Sequence, residues 1–211
     1  GYIATNAVTA DSETYNGSSW TEGNNLNTAR YGAGTAGTET AGLVFAGTSA
    51  PPRVTDTETY NGTSYSEVNN MSFERENVGG AGTQTAALAF GGGVPEASGH
   101  TESWDGTNWT TVNGLNTTRK SAAGAGTQTH ALYFAGSTGT AYAASSEEWD
   151  GTSWTSSASL GTARGYLGGF GSASAAVGAT GYVPGTPNPQ RVHTEEYNSS
   201  IQSGFRAVWN S

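Results

Sequence analysis

One glutamate and one arginine recur at regular intervals along the chain, and they are its most chemically capable residues. The glutamates Glu13, Glu58, Glu102, Glu147 and Glu195 are 45, 44, 45 and 48 residues apart, and Arg30, Arg75, Arg119 and Arg164 follow the first four of them. Two carboxylates facing each other across a cleft can hydrolyse a glycosidic bond, and a ring of guanidiniums can grip an anion. Each glutamate, however, is embedded in a cassette with an aromatic residue and a turn: Glu13-Thr14-Tyr15-Asn16-Gly17, Glu58-Thr59-Tyr60-Asn61-Gly62, Glu102-Ser103-Trp104-Asp105-Gly106, Glu147-Glu148-Trp149-Asp150-Gly151 and Glu195-Glu196-Tyr197-Asn198-Ser199. A carboxylate among aromatics is costly to bury alone, so the once-per-repeat arginine is its expected partner, in a structural network at each blade junction. Trp20, Tyr65, Trp109 and Trp154 belong to the same network.

The other reactive residue types give less. His100, His130 and His193 fall at different places in the repeat and make no recurrent metal ring. Neither a Ser-His-Asp arrangement nor a phosphate-cradling glycine fingerprint is present. The expectation is therefore a non-enzymatic chain without metal or cofactor, with glycoside hydrolysis kept as a minor alternative.

A repeat of this length fits one four-stranded propeller blade. Asn-Gly in the cassette reads as a two-residue type I′ hairpin loop, pairing Tyr15 with Ser18 and Glu13 with Trp20. A second hairpin follows each arginine, turning near Gly37, Gly82 or Gly126 and returning through Thr40 to Phe45, Thr85 to Phe90 or Thr129 to Phe134. Its small residues suit strands that converge on a central channel, with the aromatic hairpin outside. The fold class is thus all-β, a single domain over 1–211, with units at about 1–26, 27–70, 71–114, 115–160 and 161–211. Five aromatic hairpins set against four arginine-led ones predict five blades of about four antiparallel strands. The ring closes if the tail 205–209 adds an inner strand to the first unit; alternatively, the tail completes the last unit and leaves the first truncated.

Composition agrees with many short strands. The 211 residues include 32 glycines, about twice the usual share. The net charge is −9, yet only 12% of residues are charged and Lys120 is the sole lysine, which argues against binding to a phosphate backbone. Cysteine is absent, which excludes disulfides and thiolate metal sites. No apolar run reaches the length of a membrane span, so membrane insertion is not expected.

The order of Arg, small-residue strand, Phe90-Gly91-Gly92 and then Glu-x-Tyr/Trp with a Trp a few residues on resembles the kelch-type propeller repeat. The diglycine is intact only at Gly91-Gly92, and five units are fewer than the six or seven usual in that family. The wording of the repeats, Leu-Asn-Thr-Ala-Arg (26–30), Leu-Asn-Thr-Thr-Arg (115–119) and Ala-Gly-Thr-Gln-Thr (81–85 and 125–129), is also similar to kelch-like segments of structural proteins in tailed bacteriophages, particularly marine ones. That resemblance implies a virion-surface, fibre or decoration module. It carries no catalytic residues.

Binding belongs on the connections that vary: 46–57, 91–101, 135–146 and 181–194. Equivalent places in the repeat should put them on one face of the disc. Tyr142, Tyr182, Arg191 and His193 form the candidate ligand patch, of the aromatic and polar kind that receives a glycan. Expected partners are other structural proteins of the same assembly, copies of the chain itself, or cell-surface glycans, in a virion-surface or extracellular setting.

Overall fold

A computed structural model describes residues 8–49, 52–185, 194–199 and 206–208. Every regular element among them is a strand. The chain begins with β1 (Glu13–Tyr15) and β2 (Trp20–Glu22), which pair only with each other. Four antiparallel sheets of four strands follow. The first holds β3 (Gly34–Thr38), β4 (Ala41–Phe45), β5 (Thr57–Tyr60) and β6 (Tyr65–Val68). The second holds β7 (Gly79–Gly82) and β8 (Ala87–Phe90); after a small ladder of β9 (Gly93–Val94) and β10 (Glu96–Ala97) it is completed by β11 (Thr101–Trp104) and β12 (Trp109–Val112). The third is β13 (Ala123–Gly126), β14 (Ala131–Phe134), β15 (Ser146–Trp149) and β16 (Trp154–Ser157). The fourth is β17 (Gly168–Gly171), β18 (Ala175–Ala179), β19 (Thr194–Asn198) and β20 (Arg206–Val208).

The molecule is a four-bladed propeller, which corrects the count of five. Strand β20 pairs with β19 in the register Glu195↔Ala207 and so completes the fourth sheet. The described tail residues 206–208 are used there, and among the described residues β1–β2 pairs with no strand of that sheet. Counting aromatic hairpins overstated the blades because a four-stranded sheet also needs an arginine-led inner pair, and among the described residues β1–β2 pairs with no such strands.

The inner strands β3, β7, β13 and β17 pack in succession around the centre. Their small residues have a steric cause. A Cβ on Gly80 would collide with the Thr35 carbonyl oxygen of the preceding blade, and one on Gly169 with the Ala123 side chain. Outside them, aromatic residues bridge neighbouring blades. Trp109 meets Phe45 edge-on at 5.0 Å and donates its indole N–H to Thr57 Oγ1 at 3.0 Å. Trp154 repeats both contacts with Phe90 at 5.1 Å and Thr101 Oγ1 at 3.0 Å. Gln84 and Gln128, in the inner turns, donate to the Tyr60 and Trp104 carbonyls of the preceding blades.

The outer hairpin register also differs from the two-residue turn. Tyr15 lies opposite Trp20 and Glu13 opposite Glu22, and the same frame gives Tyr60↔Tyr65, Trp104↔Trp109 and Trp149↔Trp154. The loop is four residues long, because Asn16 Oδ1 accepts the backbone N–H of Ser18 and Ser19, each at 3.0 Å, while Asn16 N–H bonds the Ser19 carbonyl. This side-chain capped turn needs positive φ only at Gly17, where φ is +95°. Asp105 and Asp150 hold the corresponding turns, and the N–H groups they accept keep both carboxyls below the usual range.

Candidate functional site

The repeated glutamates and arginines lie inside the blades. Arg119 Nη2 meets Glu147 Oε1 at 2.7 Å, and its Nη1 donates to the Ser145 carbonyl at 2.6 Å and the Ala135 carbonyl at 3.4 Å. Glu147 also accepts the backbone N–H of Asn116 and Thr117, in the segment entering its own blade from the previous one. Arg30–Glu58 at 2.5 Å, Arg75–Glu102 at 3.0 Å and Arg164–Glu195 have the same form, and all eight side chains are buried. Burial depresses Arg75 and Arg164, opposed by the charges of Glu102 and Glu195. Each pair ties the segment leading into a blade's first inner strand to its third strand and fastens the incoming connection. Enclosed in this way, these carboxylates present no face to a solvent cleft. Glu13 is the exception, exposed and in no ion pair among the described residues.

The arginines define one end of the disc. Beyond each, the chain makes a one-residue left-handed step at Gly32, Asn77, Ser121 and Tyr166, with φ of +64°, +55°, +56° and +55°. These four residues are linked through their backbones: Asn77 N–H donates to the Gly32 carbonyl, Ser121 to Asn77 and Tyr166 to Ser121. The variable connections fold onto the same end. Thr48, Gly93, Ser137 and Tyr182 bridge to Tyr31, Glu76, Lys120 and Gly165, each of which directly follows an arginine. In addition, the Gly47, Gly92 and Gly136 N–H groups donate to the carbonyls of Arg75, Arg119 and Arg164 in the following blades. The loops therefore share a rigid, backbone-bonded platform.

On that platform the structure gathers tyrosines. Tyr142, fixed by its bridge to Ser137, and Tyr182, fixed by its bridge to Gly165, have ring centroids 5.4 Å apart at a 46° tilt. Tyr166 stands beside them and is 62% exposed. Partial burial raises the Tyr142 phenol, and the neighbouring Tyr166 and Tyr182 phenols add to the shift. Arg191 and His193, the other two residues of the candidate patch, lie outside the described residues. Tyr166 was not singled out from sequence. Its signal was positional, since it stands two residues after its arginine, where Gly32, Asn77 and Ser121 stand in the other blades. A bulky side chain in the left-handed region carries strain that glycine or asparagine avoids.

The remaining polar residues are dispersed. His100 stacks on Phe73 at 3.9 Å and 9° beside a cleft of about 520 Å³, and His130 Nε2 lies 2.6 Å from Glu148 Oε1. Among the described residues no three His, Asp or Glu side chains are grouped as metal ligands, and no helix is long and apolar enough to cross a membrane. At the other end of the disc, a cavity of about 610 Å³ is walled by β1, Trp20, Thr35 to Glu39, Tyr65 and Phe170.

Fold and platform define an all-β propeller with a tyrosine-bearing loop face. No protein-family model and no curated protein sequence matches the chain.

Proposed function

We propose that this chain is a non-enzymatic recognition module on the exterior of a larger assembly, and that it binds neutral glycans through Tyr142, Tyr166 and Tyr182. The observation that carries the reading is the convergence of these three rings on the loop platform. Tilted aromatic faces offer apolar area to the C–H face of a sugar, while phenol hydroxyls at their edges can serve its hydroxyl groups. Rings fixed by backbone bridges lose little entropy on binding. The strain of Tyr166 fits a side chain kept for contact rather than for packing. The resemblance of the repeats to phage structural proteins supports a virion surface as the setting, and the acidic, lysine-poor composition suits a role away from nucleic acid. Four of the five repeated glutamates are held in buried arginine pairs, which favours this reading over the glycosidase alternative.

Binding to a glycan array, followed by titration of the strongest neutral oligosaccharide, tests the proposal. Tyr166→Asn copies the residue found at Asn77, so it should preserve the fold while weakening binding about tenfold, equivalent to about 1.4 kcal/mol. Tyr182→Ala should do the same. Binding that survives both substitutions, or an array without any neutral glycan above background, overturns the assignment.

A further inference from the structure

Two connections from neighbouring blades carry tyrosines to one point on the platform. Tyr142 belongs to the connection between β14 and β15 of the third blade, and Tyr182 to the one between β18 and β19 of the fourth. Both backbones are tied down. The Tyr182 N–H donates to the Gly165 carbonyl at 2.8 Å and its carbonyl accepts the Gly165 N–H at 3.1 Å, while Tyr142 is held by its bridge to Ser137. The two rings pack with their centroids 5.4 Å apart.

Gly165 is what lets them meet. The residue directly after the blade arginine is Tyr31, Glu76 or Lys120 in the first three blades and a glycine in the fourth. A Cβ on Gly165 would stand 2.5 Å from Tyr142 Cε1 and 2.8 Å from its Cδ1, so the Tyr142 ring occupies the space that a side chain here would fill. One junction earlier the roles are reversed, with the Lys120 stem lying where a Cβ on Gly93 would be. Cε1 is the ring carbon next to the one that bears the phenol oxygen. It is seated on the very residue whose backbone is bonded to Tyr182.

We propose that Tyr142 and Tyr182 are an oxidative cross-linking site, joined Cε to Cε as dityrosine by hydrogen peroxide acting through a haem peroxidase. Each phenol gives up one electron and its hydroxyl proton, leaving a phenoxyl radical whose unpaired spin is shared with the adjoining Cε carbons. Two Cε carbons form the new bond, and each then passes its hydrogen, as a proton, to restore a phenol hydroxyl. The chain loses two hydrogen atoms in all, and the peroxide takes up the two electrons and two protons to become two waters. Rings held in contact couple with the advantage of an intramolecular encounter, whereas the 62% exposed Tyr166 is the ring most open to a second chain. The product is a staple between the third and fourth blades of a protein that has no cysteine, and it restricts the unfolded chain as a disulfide does. None of this depends on glycan binding.

The test treats the intact chain, dilute, with a haem peroxidase and hydrogen peroxide. Monomer lighter by two hydrogen atoms, with dityrosine emission and a raised urea midpoint, is expected, and peptide mapping should join Tyr142 to Tyr182. Tyr142→Phe and Tyr182→Phe keep both rings, and each should abolish the emission of the monomer. Gly165→Ala should slow its appearance by displacing the Tyr142 ring. Monomer emission that survives Tyr142→Phe overturns the proposal, as do cross-links that run mainly between chains or through Tyr166, or oxygen addition without any cross-link.

Discussion

The outer hairpin of the first blade and the free hairpin β1–β2 start from one five-residue cassette and reach different states. Both form the Asx-capped turn, and both set two aromatic rings against each other across the strands in a tilted pair, Tyr60–Tyr65 at 4.7 Å and Tyr15–Trp20 at 5.2 Å. Only the first buries its glutamate. The comparison separates what a cassette does by itself from what its neighbours do for it. Turn and cross-strand pair are local, decided by an asparagine side chain and a glycine within reach of it. Burial of a carboxylate requires a guanidinium and backbone donors from elsewhere in the chain, and these arrive with the inner strands.

The sharpest way to break this comparison is to remove the arginine from a complete blade. Arg119→Ala leaves Glu147 buried with its guanidinium gone and the Ser145 and Ala135 carbonyls without that donor; a loss of about 3–5 kcal/mol in denaturant unfolding is expected. Glu13→Ala should change stability by less than about 0.5 kcal/mol, as at an ordinary surface site. A comparable loss from Glu13→Ala would show that the free hairpin is held by a charge contact after all.

A smaller effect tests the aromatic bridge between blades. Thr101→Val leaves the Trp154 indole N–H buried without its acceptor, and about 1–3 kcal/mol should be lost. Trp20 occupies the same register position but is 66% exposed, so Trp20→Ala should be close to neutral in the same unfolding measurement.

The smallest effect at neutral pH belongs to Tyr133, buried between blades with Arg119 over its ring at 5.8 Å. Burial raises its phenol above the usual value near 10. The unfolded chain therefore loses this proton first, so the contribution is complete below about pH 10 and declines as pH rises toward the higher folded value. Urea midpoints measured across the alkaline range should fall less steeply in Tyr133→Phe. An unchanged slope would place the sensitivity on another group.

Much of the architecture was legible because the repeat is strict. Glutamate, turn and arginine recur in fixed order, so strand order within a blade and the inner position of small residues follow from spacing and residue size. The turn register was not legible from Asn-Gly alone. The asparagine side chain chose between a two-residue and a four-residue loop by bonding Ser18 and Ser19, and both loops suit the same pair of residues. The candidate loop patch was legible only in part. Tyr142 and Tyr182 stand out as aromatic residues in variable connections, whereas Tyr166 is notable only once its left-handed backbone and its link to Ser121 are known.

By itself, the sequence determined the local units: an outer hairpin wherever the cassette occurs, and an inner hairpin wherever an arginine precedes small residues. Periodic residues act at short range, so their effect is written in their spacing. Tertiary structure alone decided that four of these assemblies are blades while the first hairpin stands apart, and that Tyr142, Tyr166 and Tyr182 share one surface. Both outcomes depend on which strand edge the tail adopts and on how successive inner strands pack, contacts made between residues far apart in the chain that no single repeat encodes.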